Sequence, residues 1–167
     1  PWIDTFKKIH DPKFGKYSVI PSIQATHATS DMYWAEARLG KEREKGAYAF
    51  QELLQQNGYL TNGSDFPVEY VNPLYGFHAA VARQDAANYP EGGYQMENAL
   101  TREQALKAMT IWAAYSNFEE KERGSIEIGK QADFVITDQD IMEIPLSKIR
   151  QVLVLQTAIG GEILFKR

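Results

Sequence analysis

The chain has 167 residues, the length of one domain with a single hydrophobic core. Its 44% hydrophobic and 24% charged residues suit a folded globular protein, and its net charge of −4 argues against a phosphate-neutralising nucleic-acid face. No apolar run approaches the ~20 residues that span a bilayer, and the lack of cysteine excludes disulfides and thiolate metal sites. A cysteine-free chain fits a reducing compartment, so a cytoplasmic location is the expectation. The chain starts at Pro1 rather than Met and shows no apolar leader, so a targeting segment ahead of Pro1 stays open.

In chain order, Asp4 to His10 has the makings of a helical turn, broken by Pro12 and Gly15. Tyr17 to Gln24 reads as a strand, with Pro21 at a bulge or strand end. Thr26 to Asp31 reads as a polar loop, and Ser30 or Asp31 as the cap of a short helix from Met32 to Leu39. Glu42 to Asn57 is the clearest helix of the first half. Ala47, Phe50, Leu53 and Leu54 share one stripe, and Gly58 suits the left-handed position after the last turn. Tyr59-Leu60-Thr61 is a short strand, and strand–helix–strand order implies two parallel neighbours joined by a crossover.

Pro73 to Ala82 is predicted helical, with proline in the first turn. Asp85 to Asn98 is a polar, glycine-containing loop. Thr101 and Gln104 form a capping box for a helix through Ala114, whose apolar residues occupy more than one stripe and call for burial on most sides. From Gly124 the pattern changes to strands. Ile126 and Ile128 alternate with Glu127, the isoleucines inward, and a charged turn from Lys130 to Asp133 leads into Phe134 to Thr137. Val152 to Gln156 and Glu162 to Phe165 follow, with Gly160-Gly161 turning between them. The fold class is α/β to about residue 120, then all-β.

Two residues are candidates for chemistry. Asp65 lies where a short strand gives way to a loop, the end of a parallel sheet at which catalytic side chains gather; the plainer reading is a turn cap. His27 also follows a strand. It could polarise a carbonyl, bind metal as a neutral imidazole or fix a neighbour, or it could simply help to cap the next helix. His78, mid-helix, and His10 read as structural or solvated. Asp133 reads as a turn acceptor and Lys130 as solvated, and Trp34, Trp112 and the tyrosines as core or pocket walls. No glycine-rich phosphate loop, Gly-x-Ser-x-Gly elbow or His-Glu-x-x-His is present, so a serine triad is poorly supported.

Four stretches, in order, carry a resemblance. They are Ser22-Ile23-Gln24-Ala25-Thr26-His27-Ala28-Thr29-Ser30-Asp31-Met32, Asn62-Gly63-Ser64-Asp65-Phe66-Pro67-Val68-Glu69, Leu100-Thr101-Arg102-Glu103-Gln104-Ala105-Leu106, and Gly124 to Ile136. Together they resemble the YtcJ-like metal-dependent hydrolases of amidohydrolase family 3, from about Val19 to the C-terminus. The family commonly has proline where this chain has Ala25.

The resemblance implies the C-terminal part of a TIM-type (β/α)8 barrel. Strands seven and eight, Tyr17 to Gln24 and Tyr59 to Thr61, would lie within residues 1–122, and residues 123–167 would be strands of a small β-sandwich. It implies that Asp65 is the last-strand aspartate, a metal ligand that takes a proton from the attacking water, and that His27 contacts substrate. It further implies a divalent metal, zinc foremost, and hydrolysis of an amide-like carbon–nitrogen bond in a small molecule. Against activity of the chain alone, a whole barrel needs ~250 residues, and the family's His-x-His pair and mid-barrel ligands have no counterpart among three histidines. The 167 residues by themselves are therefore expected to be inactive and to hold no metal tightly. The rival expectation is a non-catalytic scaffold that self-associates through an open barrel edge.

Overall fold

The computed structural model describes residues 19–167. The expected turn over Asp4 to His10, His10 itself, and Tyr17 and Ser18 lie outside the described residues. Two short strands, β1 (Ser22–Ile23) and β2 (Thr61–Asn62), pair in parallel, with Ser22 opposite Thr61 and Ile23 opposite Asn62. The crossover between them carries the helices α1 (Ala25–Asp31), α2 (Ala35–Leu39), α3 (Lys41–Glu44) and α4 (Phe50–Asn57). Parallel pairing with a crossover is as expected, although β2 begins two residues later than predicted.

The polar loop predicted at Thr26 to Asp31 is instead the helix α1. Serine, threonine and aspartate compete locally for backbone hydrogen bonds, which is why the run reads as a loop. Here Ala25, Thr26, Ala28 and Thr29 are all buried, and that burial overrides local preference. The single helix predicted from Glu42 to Asn57 also fails: it breaks between Glu44 and Phe50, where Tyr48 takes φ 55°. The break has a tertiary cause, since the Tyr48 carbonyl accepts from Arg83 Nη1 (3.3 Å) and its hydroxyl donates to Asp31 Oδ2 (2.7 Å). Gly58 ends α4 as predicted, at φ 77°.

Helix α5 (Pro73–Ala82) has the predicted bounds, and Asn72 Oδ1 caps it by accepting from Leu74 N (3.0 Å). It is the centre of the core, where Phe77, Ala79 and Ala80 are buried beside Leu60, Leu100 and Ile149. The capping box of Thr101 and Gln104 is present. Its helix stops early, however, as α6 (Arg102–Met109), and resumes as α7 (Ile111–Ser116): Thr110 leaves the helical conformation at φ −128° and ψ −99°, and its hydroxyl bonds Leu106 O (2.7 Å).

Strands β3 (Phe134–Thr137), β4 (Val154–Ile159) and β5 (Glu162–Lys166) form an antiparallel sheet in that order. Gly160 and Gly161, both at positive φ, turn between the last two, and Asp133 Oδ1 accepts from Gly160 N (2.7 Å). The inward isoleucines expected before this sheet are a miss: Ile126 and Ile128 are 88% and 108% exposed, outside any strand. Lys130, expected in solvent, has a side chain only 12% exposed and bonds Ser125 Oγ (2.5 Å) beside Glu127 (3.2 Å). Trp112 packs against the core, while Trp34 is 47% exposed and is no core residue. Among the described residues no helix is long and apolar enough to cross a membrane.

His78 is fully buried on α5, as the structural reading requires, with Nε2 3.2 Å from Asn88 Oδ1. Burial, and secondly the Arg150 charge, hold its imidazole below the ordinary histidine range, against the weaker pulls of Asn88 and Asp85. The unfolded chain therefore binds this proton first as pH falls. The stabilisation is complete above the ordinary pKa of about 6.5 and is lost as pH falls through the lower folded value. Urea midpoints should drop between pH 7.5 and 5.5 and drop less in His78→Gln; equal drops in the two proteins would contradict this role.

Candidate functional site

β1 and β2 run side by side, so the segments following them emerge at the same edge, the carboxyl end of a parallel pair. After β1 the chain enters α1, whose first N–H, on Ala25, donates to Asn62 Oδ1 at the end of β2 (3.0 Å). That bond brings the segment holding His27 against the segment leading to Asp65. His27 Nε2 lies 3.6 Å from Asp65 Oδ2, with side chains 27% and 51% exposed. The spacing exceeds a hydrogen bond. His27 Nε2 is shielded from solvent and has no hydrogen-bond partner among the described residues. The histidine thus presents an unused nitrogen beside an accessible carboxylate.

Asp65 has φ 56°, in the left-handed region, where aspartate is one of the few side chains tolerated. It opens a turn closed by Val68 N donating to Asp65 O (2.8 Å), and Phe66 N donates to Ser64 Oγ (3.2 Å). The sequence brought out both His27 and Asp65, and the fold places them face to face across 38 residues of chain. Reasoning from the sequence missed Asn62, Ser30 and Glu69. Ser30 Oγ donates to Glu69 Oε1 (2.7 Å), one helical turn beyond His27 on α1 and one short turn beyond Asp65. The spacings 27/30 and 65/69 were the available signal.

A carboxylate and an unpaired imidazole are donors of the kind zinc takes, but a zinc site needs three or four protein ligands. Among the described residues no group of three or more histidine, aspartate or glutamate side chains could hold a metal. His27 and Asp65 supply the right chemistry in too small a number, so the described residues do not by themselves fit a metal. Two concave surfaces lie away from this pair. A pocket of about 150 Å³ is bounded by Asn62, Ser64, Pro73, Gly76 and Met109, and a groove of about 750 Å³ runs along α6, α7 and β3; neither is lined by His27 or Asp65.

The sequence profile of the amidohydrolase family matches residues 12–165. This chain belongs to the amidohydrolase family. YtcJ of Bacillus subtilis (strain 168) is 32% identical over 145 residues, 87% of this amidohydrolase chain and 27% of YtcJ. LONG AFTER FAR-RED 3 of Arabidopsis thaliana is 36% identical over 158 residues, 92% of this chain and 26% of that protein. An N-substituted formamide deformylase of Arthrobacter pascens is 28% identical over 120 residues, 72% of this chain and 22% of the deformylase. The chain therefore spans about a quarter of the length of the curated relatives it matches. Among solved structures, an uncharacterized metal-dependent hydrolase from Pyrococcus horikoshii superposes with a TM-score of 0.67 at 25% identity, over 87% of this chain and 32% of its own. An amidohydrolase from Thermotoga maritima shares the fold alone, with a TM-score of 0.57 at 17% identity over 98% of this chain and 41% of its own. The mixed α/β architecture of this amidohydrolase chain is consistent with a fragment of a TIM-barrel-type fold.

Proposed function

We propose that this chain is the C-terminal segment of a zinc-dependent hydrolase that cleaves an amide-like carbon–nitrogen bond in a small molecule. In this reading residues 1–122 supply the last two strand–helix units of a (β/α)8 barrel, and residues 123–167 supply strands of a β-sandwich. Asp65 is a metal ligand and the general base, and His27 contacts substrate. One observation carries the reading: the 3.6 Å approach of His27 and Asp65, from segments following adjacent parallel strands. The half-exposed Asp65 carboxylate is open to accept a proton at either oxygen. The His27 nitrogen has no competing hydrogen-bond partner among the described residues, although it is shielded from solvent, so a bound molecule reaches it only where the surface around it opens. The kinship with an N-substituted formamide deformylase supports a C–N substrate class.

The 167 residues alone are inactive in this reading, because two candidate donors do not make a metal site. Titration calorimetry with zinc should give no tight stoichiometric binding, and N-substituted formamides should stay intact. Tight 1:1 binding together with hydrolysis would overturn the inactivity. In a longer polypeptide that holds this segment and hydrolyses such substrates, Asp65→Asn should lower kcat by roughly 10²–10⁴-fold. An unchanged kcat there would reject the role of Asp65.

A second reading, a non-catalytic scaffold that self-associates, draws on the β-sheet. Val135, Ile159 and Phe165 are 57%, 53% and 46% exposed on strands, more apolar surface than a solvated sheet needs. An oligomer by size-exclusion chromatography with light scattering, together with an unchanged Asp65→Asn rate in the longer polypeptide, would favour it.

A further inference from the structure

The loop that carries Asp65 is poorly held by apolar contact. Phe66, Val68, Tyr70 and Val71 are 63%, 71%, 74% and 66% exposed, and Asp65 itself sits in a left-handed conformation that costs energy in any residue but glycine. Internal bonds can hold the turn at Asp65, but a solvated loop keeps one position against the rest of the fold only if a contact outside the loop restrains it. Glu69 is the single residue from 65 to 70 that is not exposed. Its Oε1 accepts from Ser30 Oγ at 2.7 Å. A hydroxyl has one proton to give, and the competing acceptors, His27 O (3.3 Å) and Asp31 Oδ1 (3.4 Å), are both farther away. The short, charge-assisted bond to Glu69 wins.

Three cross-contacts therefore follow one another in chain order between α1 and the stretch from the end of β2 onward: Ala25 with Asn62, His27 with Asp65, and Ser30 with Glu69. The outer two are hydrogen bonds and the middle one is not. We infer that Glu69 is a positioning residue. Bonded to Ser30, it ties the far end of the loop to α1 and so keeps Asp65 opposite His27. The inference about catalysis rests on the role proposed above for Asp65; the tether itself does not. The bonds closing the loop from within, Val68 N to Asp65 O and Phe66 N to Ser64 Oγ, do not fix the loop against α1, and once the tether is lost they open more often with the freed loop.

Amide hydrogen exchange on the 167-residue chain tests the tether without any turnover. Glu69→Ala should speed exchange at Phe66 and Val68 by roughly tenfold to hundredfold, the loss expected for a hydrogen bond to a charged group. Exchange across Phe77 to Ala80, in the core, should not change. Glu69→Gln, which keeps the Oε1 acceptor, should largely restore protection. Ser30→Ala should match Glu69→Ala, and the double variant should be no faster than either single one. Unchanged exchange in Glu69→Ala, an equal loss in Glu69→Gln, or additive single effects would each overturn the tether. In a longer, active polypeptide, Glu69→Ala should lower kcat roughly tenfold to hundredfold at unchanged KM, with Glu69→Gln near wild type. Faster exchange with an unaltered kcat would overturn the positioning role. A failed Asp65→Asn assay would leave the exchange result standing, so the two readings fail separately.

Discussion

Gly124→Ala is expected to destabilise the chain by roughly 3 kcal/mol, from overpacking and backbone strain together. Gly124 has φ +92°, a conformation that only glycine adopts without strain. An added Cβ would lie 2.7 Å from Ala114 Cβ, 2.9 Å from Ile111 Cα and 3.2 Å from Thr110 O. Two of these neighbours are backbone atoms of α7 and of the residue before it, and they have no rotamer to change. The chain leaves the helical half here, pressed against α7, so the substitution must push the following segment away or bend the helix. Thermal or urea unfolding measures the cost. Gly129→Ala is the control, with similar φ (+95°) but nothing within 4 Å of the added carbon, and should cost only the backbone part. Equal costs at the two positions would show that the close approach to α7 is not the cause.

Arg83→Ala should be at least as severe, roughly 3–5 kcal/mol. Arg83 is completely buried, without a carboxylate partner among its hydrogen bonds. It donates from Nε to Tyr94 O (2.8 Å), from Nη1 to Tyr48 O (3.3 Å) and from Nη2 to Gln95 Oε1 (3.3 Å). The guanidinium lies 4.8 Å from the Phe50 ring centroid and 5.6 Å from that of Tyr94. Burial lowers its pKa to about 10, so at neutral pH it remains a cation held by carbonyls and ring faces. Two effects oppose each other on truncation: relief of a buried charge, and three acceptors plus a cavity left behind. Arg83→Met separates them, since it fills most of the volume and removes the charge. If the orphaned acceptors dominate, Arg83→Met stays clearly destabilised by chemical denaturation. A neutral or stabilised Arg83→Met would show that charge burial dominates.

Arg83 also shows where sequence reading stops. Nothing near it in the sequence announces a buried cation, yet it spans from the end of α5 to Tyr48 and to Tyr94 and Gln95. Its bond to the Tyr48 carbonyl is one reason the helix predicted over Glu42 to Asn57 breaks where it does. The same limit applies at α1. A Thr-His-Ala-Thr-Ser-Asp run is loop-like by its own hydrogen-bonding options, and it is helical because α5 buries one side of it.

The sequence by itself determined the features whose chemistry is local. Pro73 starts α5, Thr101 and Gln104 start α6, Gly58 ends α4, and Gly160-Gly161 makes the last turn, because each depends on hydrogen bonds or dihedral angles within a few residues. It also carried the family membership, through the ordered runs around His27, Asp65, Leu100 and Gly124. Only the tertiary structure decided which residues meet. The Asn62–Ala25 bond, the 3.6 Å approach of His27 to Asp65 and the Ser30–Glu69 tether join positions 37 to 39 residues apart. Such contacts depend on parallel strand register and on burial against α5, and no local pattern encodes either.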